Sequence, residues 1–371
     1  MVDIEEKNEE DHSWVVGELG GVSFGDRRLD RRLLDTAAKL AERPTGSLNA
    51  ACDDWADTKA TYRLFDNDKV SAEKILAPHY ERTRERLCAH PLVLCVQDTT
   101  YLDYTHHPKT QGIGPIGTVK QELRGMLMHT AMFTTVAGLP LGLGSQEIWI
   151  RDEEPKCRDR AVEKREPIET KESFKWLKAL SQTMTLVPNE TQVVSIGDSE
   201  SDIFELFAHA HILETELLVR AVHNRAVVAP EVGRLRDLLG VQPVAGELTV
   251  QVPNRPDQPS RQATVSVRFR PVTFKPPTYL KQRKLPQVPM YAILVREEEP
   301  PPETDPLEWL LLTTVPVDTF EDALTCIGWY KQRWQIEVFH KVLKSGCQVE
   351  ECQLATAERL DPGGSPFSHI V

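Results

Sequence analysis

Two aspartates and a glutamate stand where carboxylates could act on a substrate. Asp98 follows the apolar run Leu92 to Val96, in Cys95-Val96-Gln97-Asp98-Thr99-Thr100. Asp198 closes a second run, Val193 to Ile196, in Ser195-Ile196-Gly197-Asp198-Ser199-Glu200-Ser201-Asp202. Both runs read as short buried strands. An aspartate at a strand end commonly turns the chain or caps nearby amides. Two of them at the ends of adjacent core strands also converge on one point, as a divalent metal requires. The third carboxylate is Glu337, on a stripe with Tyr330, Arg333 and Lys344. On one continuous helix, at roughly 100° per residue, these four fall within an arc of about 60°. His340 lies beside them, and Trp334, Val338, Phe339, Val342 and Leu343 form the face expected to be buried. Such a stripe is either a solvated face with an internal ion pair or a phosphodiester site. In the second case Glu337 binds metal while Arg333 and Lys344 hold phosphate oxygens.

These residues need a scaffold. Residues 12 to 88 read as helical: Gly25-Asp26 offers an N-cap, after which Leu29, Leu33, Ala37 and Leu40 recur on one face. Arg27, Arg28, Arg31 and Arg32 occupy the neighbouring face, as a solvated surface or as a basic stripe for DNA. Further helices are expected at Trp55 to Phe65 and Ser71 to Leu87. From Pro91 the pattern turns to strands, with more at Met126 to Thr135 and Leu141 to Ile150, then helices at Lys171 to Leu180 and from Ile203. Strands followed by helices imply an α/β layer with a mixed sheet. Between 251 and 316 lie 13 of the 26 prolines, which forbids long helices there. Residues 213–316 therefore read as a β-rich insertion, and helix returns from about Asp322 to Ser345.

Composition narrows the class. The 371 residues carry a net charge of −12, and no stretch approaches the ~20 apolar residues that span a bilayer. The acidic start, Met1 to Ser13, is expected to be no signal peptide. Seven cysteines without a C-x-x-C pair argue against a disulfide scaffold or a zinc site. A cytoplasmic, nucleoid-associated location is the expectation. Net acidity does not exclude DNA, because charge acts locally. Arg261 to Leu285 holds seven cations and no acid, and screening confines its field to about 8 Å at physiological salt.

With Tyr330, Arg333, Glu337 and Lys344 in this order, the sequence resembles the bacterial insertion-sequence transposases of the cut-and-paste class with a Y-R-E-K signature. Asp98-Thr99-Thr100, the Asp198 segment, the β insertion and the helical start with Gly25-Asp26-Arg27-Arg28 agree with that family from about residue 14 to 360. The resemblance implies an RNase H-like catalytic core at 89–371, with a β-rich insertion at about 213–316. A small helical domain recognising transposon ends would precede it, at 1–88. Asp98, Asp198 and Glu337 would be the catalytic D-D-E set, holding two Mg²⁺ ions, with Mn²⁺ an acceptable substitute. One strand is nicked, the freed 3′-hydroxyl forms a hairpin on the opposite strand, water reopens it, and the 3′-hydroxyl joins target DNA. Trp309 matches the position whose indole stacks on a flipped base, and Arg220 a basic position near the same DNA end. On residue pattern alone these two read as a core tryptophan and a strand-edge charge. The partners implied are double-stranded DNA and a second subunit in a synaptic dimer, with no membrane.

Two features depart from that family. Ser199 stands where an arginine is common, which puts the rate in question more than the chemistry. After Leu354 to Leu360, the residues Pro362, Gly363, Gly364 and Pro366 cannot extend a helix. The helical dimerisation region of the family is therefore expected to be missing. A chain so truncated could instead be a catalytically silent DNA-binding regulator of transposition. A free-standing RNase H-like nuclease is a third reading, disfavoured by the Y-R-E-K helix and the N-terminal domain.

Overall fold

The computed structural model describes residues 13–118, 121–153, 166–228, 233–254 and 259–351. The N-terminal part is helical: α1 (Ser13–Leu19), α2 (Arg27–Glu42), α3 (Leu48–Ala51), α4 (Trp55–Phe65) and α5 (Ala72–Leu87). Local caps set where these helices start. Asp26, Ser47, Asp54 and Ser71 each accept a hydrogen bond from a backbone amide two or three residues on. Gly25, at φ +76°, supplies the left-handed turn into Asp26. Leu33, Leu40, Leu64 and Ile75 are buried in one apolar cluster with Leu102, Met126, Met128 and Ile148 of the sheet. The helical part thus shares a core with the strands.

Twelve strands among the described residues form one mixed sheet. They are β1 (Leu92–Asp103), β2 (Gly114–Ile116), β3 (Leu123–Thr135), β4 (Pro140–Trp149), β5 (Gln192–Gly197) and β6 (Glu216–Arg220). Next come β7 (Ala226–Val227), β8 (Gly233–Arg234), β9 (Gly246–Val252), β10 (Arg261–Phe274), β11 (Val288–Arg296) and β12 (Glu308–Thr313). The order is β2-β3-β1-β5-β6-β12-β11-β10-β7-β8, with β4 on β3 and β9 on β10. Only β1, β5 and β6 run parallel to one another. The strands after residue 220 continue this sheet through β12 beside β6, so the proline-rich region extends the core sheet. Helices α6 (Phe174–Met184), α7 (Phe204–Ile212) and α8 (Leu235–Gly240) cover one face. The opposite face carries α9 (Phe320–Lys331) and α10 (Trp334–Lys341).

Side-chain alternation assigns the chemistry to one face. Leu94 and Val96 of β1, Val194 and Ile196 of β5, Leu218 of β6 and Leu311 of β12 pack with Ala323, Ile327 and Ile336 of α9 and α10. Continuing in the same parity, Asp98, Asp198, Arg220 and Trp309 belong to that face. Val93, Cys95 and Val193 face the other way, into a separate cluster.

Three expectations need correction. Asp98 does not lie past the end of its strand: β1 runs on to Asp103 because β3 pairs with it from Val93 to Asp103, whereas β5 stops at Val96. The helix expected from Asp322 to Ser345 is broken after Lys331, restarts at Trp334, and passes into a π-turn at Val342–Gly346. Each irregularity shifts the helical phase. The buried residues are consequently Ile336, His340 and Leu343, while Trp334, Val338 and Val342 are 61%, 39% and 54% exposed. Finally, the basic run 261–285 is partly neutralised: Arg261 pairs with Glu297, Arg268 with Glu298 and Arg283 with Glu169. The residues on which the expected truncation rests, 352–371, lie outside those described.

Candidate active site

The parallel pair β1–β5 ends in the register Val96 opposite Ile196. Two residues further on stand Asp98, still within β1, and Asp198, just past the end of β5, and the charge of Asp198 reaches Asp98. Gly197 makes this possible: a Cβ there would come 2.6 Å from Cβ of Ser201, closer than two carbons tolerate. The backbone after β5 can therefore fold tightly into the turn Ser199–Ser201. Asp198 caps that turn, accepting from the Glu200 amide at 2.8 Å, and Asp98 accepts from the Thr99 amide at 2.7 Å.

Arg333, at the α9–α10 break, joins Asp98 to Glu337. Its Nη1 donates to Asp98 Oδ2 at 3.2 Å, and its Nη2 donates to Glu337 Oε1. All three side chains are at least two-thirds buried. Burial pushes the Asp98 carboxyl up to about 6; the Thr99 amide and Arg333 oppose this, while the nearby charges of Asp198 and Glu337 add to it. Burial, and then the charge of Glu200, raises Asp198, against the pull of Arg333 and Lys175. Tyr330 is raised mainly by burial; Arg333 and Arg220 lower it and Asp198 raises it. Asp98 thus feels the charges of both Asp198 and Glu337, from distant stretches of chain, and Arg333 acts on both aspartates and on Tyr330. Among the described residues, no three His, Cys, Asp or Glu side chains are gathered closely enough to hold one ion as they stand.

Other candidates lie further out. Lys344 pairs with Glu350 at 3.1 Å, and Glu350 also accepts the Asp103 amide at 2.8 Å. Lys344 is thus anchored beside the end of β1. Trp309 is half-buried against the apolar cluster under α9, opposite Val295. Arg220 is exposed, opposite Leu311, two residues from Trp309.

Several contributors carried no sequence signal. Lys175 of α6 is nearly buried, 3.2 Å from Glu200, and its charge reaches Asp198. A lysine within an amphipathic helix gives no hint of that reach. Behind Asp98 lies a buried polar layer: Gln97 donates to Ser195 at 2.8 Å, and His129 bonds Thr99 at 2.9 Å and Gln97 at 3.3 Å. Burial holds His129 well below its usual range, so the layer is neutral and adds no charge of its own beneath the carboxylates. Trp334, expected inside, is exposed, next in sequence to Arg333.

The N-terminal arginines divide into two kinds. Arg32 pairs with Asp35 and Asp57, and Arg28 with its own cap, Asp26. Arg27 and Arg31 are exposed and make no ion pair among the described residues. Residues 11–70, which include this helix, match the family model described as transposase DNA-binding. The match supports a transposase, or a DNA-binding role, with DNA as partner. No helix among the described residues is long and apolar enough to cross a membrane.

Proposed function

We propose that this chain is a DNA transposase of the D-D-E class. It would cut and join transposon ends through phosphodiester hydrolysis and transesterification, with Asp98, Asp198 and Glu337 as the catalytic set on an RNase H-like core. In this reading residues 1–88 bind the end and residues 89–371 carry the chemistry. The observation that carries it is the convergence of Asp98 and Glu337 on Arg333, with Asp198 within electrostatic reach, in a chain whose residues 11–70 match a transposase DNA-binding model.

The donor set fits a divalent cation in its chemistry. The charges of Asp198 and Glu337 reach Asp98, and both aspartates are pushed upward, by burial first and then by acidic neighbours, Glu200 in the case of Asp198. That is an excess of buried negative charge which a hard, oxygen-seeking ion relieves. Asp98, Asp198 and Glu337 would hold Mg²⁺, or Mn²⁺ in its place. When bound, the metal supplies Lewis acidity to the attacking and leaving oxygens of an in-line displacement.

The protein's own groups bind and orient the DNA. Arg333 and Arg220 hold phosphate oxygens beside the carboxylates, Arg333 through its two-pronged guanidinium. Lys344, anchored on Glu350, adds a point charge at the edge. Trp309 and the exposed Trp334 offer aromatic faces to an unstacked base, as a tightly bent hairpin requires. The aspartates are oriented by backbone amides, and a hydrogen-bonded layer lies behind Asp98. Positioning and charge stabilisation are therefore available without a covalent enzyme intermediate.

The test is a labelled duplex bearing the element's own terminus, incubated with the protein and Mg²⁺. A nick at the terminus that matures to a hairpin is expected. Binding without any cut in Mg²⁺ or Mn²⁺ would contradict the catalytic reading. It would favour the catalytically silent regulator, for which the close pairing of Arg333 with two of the carboxylates is the supporting observation.

A further inference from the structure

The position of Arg333 has a consequence for when the site can act. Its guanidinium takes a carboxylate oxygen of Asp98 on one nitrogen and of Glu337 on the other, and only about a fifth of its side chain is exposed. It sits at the two-residue interruption between α9 and α10, with Gln332 and Arg333 outside both helices. It is thus held at the junction of two helices and not within a helix interior. A buried guanidinium on two carboxylates meets part of the charge demand that a divalent cation would meet, and it competes with the ion for the oxygens it holds.

We propose that in the DNA-free protein Arg333 is a stand-in cation that blocks metal loading, and that a DNA phosphate releases it. This rests on the reading of Asp98 and Glu337 as metal ligands. A phosphate beside the site offers the guanidinium an equally good two-pronged partner that is charged and outside the carboxylate cluster. Arg333 then leaves Asp98 and Glu337 for the phosphate, and the vacated oxygens become available to the ion. The arrangement keeps the enzyme inert toward metal until an end is seated.

The test measures Mn²⁺ affinity of the DNA-free chain by loss of the free-ion paramagnetic resonance signal. Wild type, Arg333→Gln and Asp98→Asn are compared after matching circular dichroism and melting curves. Arg333→Gln is expected to bind Mn²⁺ about tenfold more tightly than wild type, a change of about 1.4 kcal/mol. Asp98→Asn is expected to weaken binding. Equal affinity of wild type and Arg333→Gln, with loss in Asp98→Asn, would overturn the stand-in role and leave the metal site intact. Binding in none of the three, or binding indifferent to Asp98→Asn, would overturn the metal-site reading itself. A second measurement uses wild type alone, through the side-chain nitrogen resonances of Arg333, assigned by their absence from Arg333→Gln. Slow rotation of its Nη groups without DNA, and fast rotation or a changed partner with a short duplex, supports the exchange. Unchanged resonances on saturation with DNA overturn it.

Discussion

Arg333 and Asp98, 235 positions apart in sequence, are joined by a 3.2 Å hydrogen bond inside a nearly buried site. That contact, continued from Arg333 to Glu337, links the glutamate of a late helix to the middle of the first core strand. The N-terminal helical part and the long mixed sheet are arranged around it, and four expectations about the molecule follow.

Asp98 gives a pH dependence of stability. A carboxyl raised to about 6 by burial contributes most to the folded state when protonated, below its ordinary range near 4. That contribution is lost as pH rises through about 6. Asp98→Asn, which cannot ionise, should therefore gain on wild type between about pH 4 and pH 7. The expected gain is on the order of 2 kcal/mol in unfolding free energy, read from urea melts of the DNA-free protein. A difference independent of pH would show that Asp98 is ionised with no penalty.

The N-terminal arginines should separate into two groups. Replacing the unpaired, exposed Arg27 and Arg31 by alanine is expected to weaken DNA binding. The salt dependence should also fall, by a slope of about 0.9 for each lost phosphate contact. Arg32, tied to Asp35 and Asp57, should lower the melting temperature when replaced and leave the slope unchanged. An unaltered slope in Arg27→Ala and Arg31→Ala would make that face a merely solvated one.

Trp309 is half-buried in an apolar cluster, so Trp309→Ala should cost roughly 1 to 3 kcal/mol of stability. Trp309→Leu keeps most of the packing and removes the stacking face. Hairpin formation should fall at least about tenfold more than first-strand nicking in Trp309→Leu, as expected when one base–aromatic stack is lost. An equal fall in both steps would mean that the indole only packs.

Much of this was legible from local signals. Asp26 and Ser71 announce their helices because capping needs only neighbouring amides, and the runs Leu92 to Val96 and Val193 to Ile196 announce strands through uninterrupted apolarity. The stripe of Tyr330, Arg333 and Glu337 was legible as well, although the helix itself is broken. Neither Gln332 nor Arg333 opposes helix, and Arg333 engages Asp98 through a contact that no nearby residue encodes. The same blindness explains why Trp334 and Val338 were expected inside, and why Arg261 and Arg268 read as free charge: their partners Glu297 and Glu298 come from the next strand's far end. Lys175 was invisible for a related reason, since its relation to Asp198 exists only after α6 packs on the sheet.

The fourth expectation concerns the three carboxylates themselves. Asp98→Ala, Asp198→Ala and Glu337→Ala proteins would be compared with wild type on a labelled terminal duplex in Mg²⁺, with binding and cleavage measured on the same samples. Each variant should bind the duplex within about threefold of wild type and lose cleavage by at least about a hundredfold, the scale of removing one group that acts in the transition state. Retained cleavage in any one of them, or a loss of binding that parallels the loss of cutting, would contradict the joint assignment of Asp98, Asp198 and Glu337 to the chemistry.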